Sequence, residues 1–138
     1  MKVIDGSNLV FGRVASIVAK SLLEGEEVHI VNCENMIFQG DKKYIIERYK
    51  ARRRLKNKQD PEKSPKWPNV PYMFVKRLIR GMLPIKKARG RDAFKRLKVF
   101  NGNPNKEEAI TIEEAKPKRL IKYITVKEVC KQLGWRGE

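Results

Sequence analysis

KRLIRGMLPIKKARGRDAFKRLKVFNGNP, residues 76–104, combines apolar residues at helical spacing with a strongly cationic composition. Starting one residue earlier, four apolar positions fall at i, i+3, i+4 and i+7, the repeat of one buried helical face. These positions are Val75, Leu78, Ile79 and Met82. Gly81 is the predicted end of this helix, and Pro84 follows at a distance typical of a helix terminus.

The second half of the stretch predicts another helix and then a strand. A helix from about residue 91 would bury three apolar residues and leave three cations in solvent. The apolar residues are Ala93, Phe94 and Leu97, and the cations are Arg91, Lys95 and Arg96. Alternation over residues 97–100 then predicts a strand, and Asn101-Gly102 supplies the turn after it.

Charge in this stretch is almost entirely of one sign. Asp92 is the single carboxylate among many cations, which are Lys76, Arg77, Arg80, Lys86, Lys87, Arg89, Arg91, Lys95, Arg96 and Lys98. A solvated helix face normally mixes signs, because like charges at i,i+3 and i,i+4 repel each other. The pattern therefore favours a polyanion-binding surface over a face that is merely solvated.

The composition of the whole chain agrees with this interpretation. Its 138 residues fit one domain, and a hydrophobic fraction of 41% is enough to build a core. Lys and Arg number 32 against 16 Asp and Glu, so the net charge is +16, which favours a nucleic acid as partner. No apolar run approaches the roughly 20 residues that span a bilayer, so no membrane partner is expected. The start shows no signal-peptide pattern.

Cysteine and histidine usage argues against a disulfide, a metal site or a catalytic centre. Cys33 and Cys130 are far apart and neither belongs to a CxxC pair, which predicts reduced, buried thiols. His29 is the only histidine, and its place between Val28 and Ile30 predicts a packed or edge residue rather than a general base. No nucleophile, base and oxyanion donor converge in the pattern. We therefore expect no enzyme activity, no cofactor and no small-molecule substrate.

The N-terminal part of the chain predicts a βαβ unit. Residues 2–5 and 27–32 have strand patterns and flank a helix that ends at Gly25. The turn before this helix does not match a Walker phosphate loop, because Arg13 stands where Lys is needed and Val14 replaces Ser or Thr. Arg13 remains available, at the start of the helix, for an RNA phosphate.

A short strand over residues 36–39 is followed by a helix whose predicted N-cap is Asp41 and whose far end is cationic. The cations are Lys50, Arg52, Arg53, Arg54 and Lys56. One or two would satisfy the helix macrodipole, so five favour phosphate contact.

Residues 57–71 then carry four prolines, Lys66 and Trp67 without an apolar period, which predicts a basic arm. Trp67 either stacks on an exposed base or packs back onto the protein.

The chain becomes more acidic after Pro104. This region is predicted to face away from the polyanion or to flank its edge, and it contains Glu107, Glu108, Glu113 and Glu114. Residues 120–124 have the pattern of a strand. Thr125 and Glu128 have the spacing of a capping box, and the helix they begin is predicted to bury Cys130 and to end at Gly134.

Several stretches of this sequence resemble a known family. They are Asp5-Gly6, Phe11–Ala15, Val31–Glu34, Arg80–Pro84 with Gly90, and Arg96–Phe100 with Gly102. Together they resemble the family of the thirteenth protein of the large ribosomal subunit. The C-terminal portion and the Pro-rich arm are similar to its archaeal and eukaryotic branch. The resemblance implies a three-layer α/β/α fold with a small, mainly parallel sheet, carrying here basic loop extensions, and no catalytic activity in translation.

The resemblance also implies partners and a location. The implied partners are large-subunit ribosomal RNA and neighbouring large-subunit proteins. The implied location is the ribosome in the cytoplasm. Residues 1–138 are expected to form a single RNA-binding domain with its Pro-rich basic arm at about 57–71. The predicted RNA-binding residues are Arg13, Arg52, Arg53, Arg54, Lys56, Lys66, Trp67, Lys76, Arg77, Arg80, Lys86, Lys87, Arg89, Arg91 and Lys95.

Two alternatives stay open on the sequence alone. A nucleic-acid-binding regulator outside the ribosome would carry a helix-turn-helix or an aromatic RNP-type strand, and neither pattern is found. A nucleotide-dependent enzyme on a βαβ scaffold is disfavoured by the broken phosphate-loop spacing.

Overall fold

The computed structural model describes residues 1–64, 66–119 and 122–137. Strands and helices alternate along most of the chain, and short 3₁₀ turns join some of them. The strands are β1 (Lys2–Asp5), β2 (Val28–Val31), β3 (Ile37–Gln39), β4 (Leu97–Val99) and β5 (Tyr123–Thr125). The helices are α1 (Phe11–Leu23), α2 (Lys42–Arg54), α3 (Pro71–Arg80), α4 (Ala88–Lys95) and α5 (Val126–Gln132).

The main sheet has three parallel strands in the order β1-β2-β4, and β3 and β5 form a separate antiparallel pair. The register aligns Ile4 with Ile30 and Ile30 with Val99. The predicted βαβ unit is confirmed, because β1, α1 and β2 follow one another and the two strands pair in parallel. Gly25 allows the chain to turn after α1 with a φ of 98°. The mixed α/β class with a small, mainly parallel sheet is likewise confirmed.

One face of the main sheet is apolar and belongs to the core. Ile4, Ile30 and Val99 share this face and are buried. Helix α1 contacts β2, α3 and α4 both contact β4, and α1 and α4 contact each other. The positions of the cationic residues on α3 and α4 follow from this arrangement.

The alternate positions of the sheet are more polar and include His29, which is only 7% exposed. Its Nε2 atom lies 2.8 Å from Glu27 Oε1, and its Nδ1 atom lies 3.2 Å from Glu107 Oε1. The hydrogen bond to His29 lowers the pKa of Glu27 below its ordinary value. The rings of His29 and Phe100 lie in a T-shaped arrangement with their centroids 5.8 Å apart. His29 is therefore a packed residue rather than an edge residue, and Glu107 bonds to the sheet.

Helix α3 differs from its predicted course. It begins at Pro71, whose fixed φ suits the first turn, and it ends at Arg80 because Gly81 is its C-cap. Met82 was predicted to be buried at the i+7 position, but that is wrong: Met82 lies beyond the helix and is 45% exposed. Phe74, at the start of the helix, fills the core instead.

The boundaries around α4 also differ from the sequence prediction. The helix begins at Ala88, three residues before the predicted start, and Leu97 is buried as a strand residue. Arg96 was expected in solvent but is half-buried, because its Nη2 atom donates to the Leu22 carbonyl at 2.7 Å. That carbonyl belongs to the last turn of α1 and also accepts a hydrogen bond from the Gly25 amide at 3.2 Å. Arg96 thus joins two helices.

The C-terminal part packs largely as expected. Thr125 accepts a hydrogen bond from the Glu128 amide at 3.2 Å, which is half of the predicted capping box. The Glu128 carboxylate lies 3.6 Å from Lys42 Nζ instead of returning to the Thr125 amide. Cys33 and Cys130 are buried free thiols, and burial raises the pKa of Cys130 to about 12. The predicted strand start at residues 120 and 121 lies outside the described residues.

No helix within the described ranges combines the length and the apolar character needed to cross a membrane.

Candidate nucleic-acid interface

Helix α2 starts with Lys42 and Lys43 and carries its other cations on its last two turns. Asp41 begins the helix by accepting a hydrogen bond from the Lys43 amide at 3.1 Å, as predicted. Ile45 and Tyr49 are the buried residues that hold the helix to the core. Arg52 lies one turn after Tyr49 and is half-buried, whereas Arg53, Arg54 and Lys56 are exposed.

Trp67 from the Pro-rich arm packs into an aromatic cluster, which consists of Phe38, Tyr49, Trp67 and Phe74. Its ring stacks on Tyr49 with centroids 6.2 Å apart and meets Phe74 edge-on at 6.1 Å. Of the two alternatives for Trp67, the structure therefore has the side chain packed against the protein. The indole Nε1 atom is buried without a hydrogen-bond partner among the described residues. Burial in the cluster raises the pKa of Tyr49, although the nearby Arg48 and Arg52 oppose this.

Three arginines converge on Trp67. The guanidinium carbon of Arg52 lies 5.0 Å from its ring centroid, and that of Arg77 lies 5.3 Å from it. Arg53 donates a hydrogen bond to the Trp67 carbonyl. A guanidinium in cation–π contact can still use its N–H groups for a phosphate. The tryptophan therefore fixes the positions of Arg52 and Arg77 from two different helices.

Helix α3 places the next group of cations beside this cluster. Its buried residues are Pro71, Phe74, Val75 and Ile79, so Lys76 and Arg77 are half-buried at the edge of the core and Arg80 is exposed. Lys76 Nζ lies 5.2 Å from the ring centroid of Phe94 on α4.

Two open clefts flank this part of α3 and share Trp67, Arg77 and Arg80. The first, of about 600 Å³, is also lined by Lys66 and Lys76. The second, of about 730 Å³, extends between Arg52 and the loop after α3. No carboxylate lines either cleft in the described part of the chain. We call the cations that line the two clefts the basic face: Arg52, Lys66, Lys76, Arg77, Arg80, Lys86 and Lys87.

The loop between α3 and α4 is held by backbone contacts. Arg91 donates from Nη1 to the Lys86 carbonyl at 3.2 Å and to the Ile85 carbonyl at 3.4 Å. A Cβ atom at Gly90 would lie only 2.0 Å from the Pro84 carbonyl oxygen, so α4 can touch this loop only because residue 90 is glycine. The loop cations Lys86 and Lys87 are therefore attached to a fixed backbone.

The remaining predicted residues lie outside the two clefts. Arg54, Lys56, Arg89 and Lys95 are exposed beside the basic face and line neither cleft. Arg13 stands apart on the first turn of α1, where its Nη1 atom donates to the Lys116 carbonyl at 3.2 Å. Glu114 lines the same depression as Arg13. The structure thus separates Arg13 from the other predicted contacts and puts a carboxylate near it.

Sequence reasoning missed Phe74 and Phe38 of the aromatic cluster and the contact at Gly90. One signal could have revealed the pairing of α2 with α3. Tyr49 precedes Arg52 by three residues, and Phe74 precedes Arg77 by three residues, so each helix presents an aromatic ring and an arginine on the same side. No local pattern indicates that Trp67 lies between the two pairs.

Potential metal ligands are not clustered in the described part of the chain. It holds no group of three or more His, Cys, Asp or Glu residues that could coordinate a metal ion. Both ring nitrogens of His29 are already within hydrogen-bond distance of carboxylates.

Comparison with known proteins gives consistent matches. The sequence model of the family described as Ribosomal protein L13 matches residues 1–106. The large ribosomal subunit protein uL13 of Methanocaldococcus jannaschii is 45% identical over 137 residues, which cover 97% of this chain and 98% of that protein. The uL13 proteins of Archaeoglobus fulgidus and Methanosphaera stadtmanae are 44% and 42% identical, over 98% and 96% of this chain and 88% and 96% of their own lengths.

Proposed function

Because this chain belongs to the ribosomal protein L13 family, we propose that it binds large-subunit ribosomal RNA through the basic face and supports subunit assembly. The family is a structural, non-enzymatic component of the large ribosomal subunit, found in the cytoplasm in archaea. Its partners in that particle are ribosomal RNA and other ribosomal proteins. The specific RNA contacts are the subject of this proposal.

The observation that carries the proposal is the sign and density of charge around the two clefts. Seven cations line them with no carboxylate in the described lining, on a chain whose net charge is +16. Mutual repulsion among these side chains is relieved when phosphates neutralise them. Neutralisation also releases counterions from the RNA, which favours binding and lowers the repulsion between RNA segments that approach each other. A protein with this surface would thereby stabilise folded RNA during assembly.

Recognition in this proposal depends on RNA shape and backbone more than on base edges. The arginines can form two parallel hydrogen bonds to one phosphate, which lysine cannot reproduce. Arg52, Arg77 and Arg80 should therefore tolerate replacement by lysine less well than their charge alone suggests.

The whole chain, residues 1–138, acts in this proposal as one RNA-binding domain. The Pro-rich arm at about 57–71 contributes Lys66 and Trp67. In this proposal three further groups of predicted residues contribute contacts: Arg53 with Arg54 and Lys56 at the end of α2, Arg89 with Lys95 on α4, and Arg91 through the loop that it holds. Arg13 would form a separate contact after releasing the Lys116 carbonyl.

Charge reversal on the basic face tests the proposal. A variant carrying Arg80→Glu, Lys86→Glu and Lys87→Glu changes three exposed side chains and leaves Arg91 in place to hold the loop. The matched control reverses Lys20, Lys118 and Lys131, which are exposed on α1, after the acidic region and on α5. Both variants have the same net charge, so any difference between them reports position and not total charge.

The measurement is affinity for large-subunit ribosomal RNA fragments, transfer RNA and duplex DNA over a range of salt, together with cosedimentation with large-subunit particles. We expect the basic-face variant to lose ribosomal RNA preference and cosedimentation, and its slope of log K against log salt to fall by roughly 2 to 3. The control variant should retain both. Equal losses in the two variants, or normal incorporation of the basic-face variant, would refute the proposal.

A further inference from the structure

We infer that the cleft between Arg52 and the loop Leu83–Lys87 takes a single unpaired nucleotide of RNA. Its phosphate would lie on Arg52 and Arg77, and its base would pack against the apolar residues of the loop. This inference rests on the proposed function, because it names the RNA feature that one part of the basic face recognises.

Trp67 acts here as a positioning residue and not as a stacking platform. Its ring already contacts Tyr49, Phe74 and the two guanidiniums, so in this inference it positions the arginines, and the loop residues receive the base. Arg52 is held doubly, since its guanidinium carbon also lies 5.4 Å from the Tyr49 ring centroid. Two guanidiniums fixed on one indole beside one cleft suit a single phosphate, which accepts several hydrogen bonds at once.

The opposite wall of the cleft is apolar. Leu83 is buried with 7% of its surface exposed, Pro84 is exposed and Ile85 is half-buried, and all three line the cleft. A wall of this kind adds nothing to the binding of a phosphate, which is hydrated and charged, but it suits the flat face of a base. The volume of about 730 Å³ is within the range of roughly 300–1,000 Å³ that encloses small organic molecules.

Charge around the cleft selects a nucleotide of a longer strand over a neutral ligand. Lys86 and Lys87 stand at the loop end of the cleft and Arg80 stands on α3, so flanking phosphates on both sides find a cation. A fully paired duplex keeps its bases stacked inside the helix and cannot offer one to the wall of a cleft. An unpaired nucleotide, extruded from a bulge or loop, can present base and phosphate together.

The cleft is formed before any ligand binds. Its loop wall is fixed by the close packing of Gly90 on Pro84 and by the hydrogen bonds from Arg91. Its other wall is fixed by the aromatic cluster. Preformed walls reduce the entropy that binding must remove, and this favours a defined pocket over a surface that adapts to any polyanion.

The test compares two hairpin RNAs of identical duplex sequence, one fully paired and one with a single-nucleotide bulge, against the full-length protein. We expect the bulged hairpin to bind about tenfold more tightly. Arg52→Lys with Arg77→Lys, which keeps the charge, should abolish this preference, so that the variant binds the bulged and the paired hairpin with equal affinity. Lys20→Arg with Lys131→Arg, on α1 and α5, serves as the matched control and should change neither.

A second readout does not depend on the substituted arginines. The chain has two tryptophans, so Trp135→Phe leaves Trp67 as the sole source of indole emission. Emission from Trp67 should change on titration with the bulged hairpin and stay constant with the paired hairpin at equal occupancy.

The outcomes separate this inference from the proposed function. Equal affinity for the two hairpins, with preference for ribosomal RNA fragments retained, would overturn the nucleotide cleft and leave the proposed function standing. Loss of any preference for ribosomal RNA fragments over transfer RNA would overturn the proposed function. A bulge preference that survives the double lysine substitution would overturn the assignment of the phosphate to Arg52 and Arg77.

Discussion

Replacement of Gly90 by alanine tests how α4 is joined to the loop of the basic face. A Cβ atom there would lie 2.0 Å from the Pro84 carbonyl oxygen, 2.3 Å from its carbonyl carbon and 2.9 Å from the Ile85 amide nitrogen. Ordinary van der Waals contact begins near 3.4 Å. The helix and the loop must therefore separate by more than an ångström to admit one methyl group.

Two effects of opposite sign determine the magnitude. Alanine in place of glycine within a helix normally stabilises a protein by roughly 0.5–1 kcal/mol. Overpacking in a closely packed region costs about 1–3 kcal/mol, and more where backbone must move. At Gly90 all three close atoms are backbone, so no side-chain rotamer can relieve the contact. Because backbone must move, we take the upper end of the overpacking cost, about 3 kcal/mol. Subtracting the gain from alanine leaves a net loss of about 2–2.5 kcal/mol, which lowers the melting temperature by roughly 7–9 °C in a chain of this length.

The assay is thermal and urea unfolding of the wild type, Gly90→Ala and Gly12→Ala, followed by far-UV circular dichroism. Gly12 is the matched control, because it also lies in a helix and its added Cβ would meet nothing within 4 Å. Gly12→Ala should be as stable as the wild type or slightly more stable. If Gly90→Ala proved no less stable than Gly12→Ala, the argument for an obligatory close approach at Pro84 would be refuted.

Three further predictions concern stability. Asp41→Ala should lower the free energy of unfolding by about 0.5–2 kcal/mol in urea titrations, because the Lys43 amide loses its acceptor; a change within error would contradict the cap. Partial burial acts to raise the pKa of Asp5, but hydrogen bonds from Ser7 and from the Asn32 side chain together lower it, so stability should fall as the pH drops below about 4, and Asp5→Asn should flatten that dependence. Burial raises the pKa of Cys130 to about 12, so its contribution to stability should be full below about pH 9 and should decline as the pH rises from there toward 12. Unfolding of the wild type and of Cys130→Ala should be compared across that pH interval.

The parts of the fold that the sequence predicted are those decided within a few residues. The apolar repeat of α1, the cap at Asp41 and the turn at Gly25 each depend on neighbours in the chain, and all three are confirmed. The sequence left a packed and an edge position open for His29, and the structure has it packed, with 7% of its surface exposed.

The parts that were wrong depend on contacts between distant segments. Arg96 is half-buried because the end of α1 lies next to it, and no local pattern reports the distance between residues 22 and 96. Met82 was predicted to continue the buried face of α3. The helix ends at Arg80, two residues before Met82, so the helical repeat does not reach it. The sequence left two positions for Trp67 open, and its contacts with Tyr49 and Phe74 decide between them.

The candidate site was predicted in composition but not in arrangement. Charge counting identified every cation of the basic face, because polyanion binding depends first on the number and sign of charges. It also included Arg13, which the structure puts beside Glu114 and away from the clefts. Charge alone carries no information about which side chains share a surface.

The strand order has a consequence for the timing of folding. Strand β4 completes the sheet beside β2, although α2, α3 and α4 all lie between these two strands in the chain. Residues 32–96, which contain all cations of the basic face, therefore form the connection between β2 and β4. Closing so long a connection is slow compared with forming a local hairpin or helix. During synthesis, β1, α1 and β2 leave the ribosome first, but their third strand arrives only with residues 97–99. The clefts are lined by residues between 52 and 94, so they and the third strand become available together, after 99 of the 138 residues have been translated.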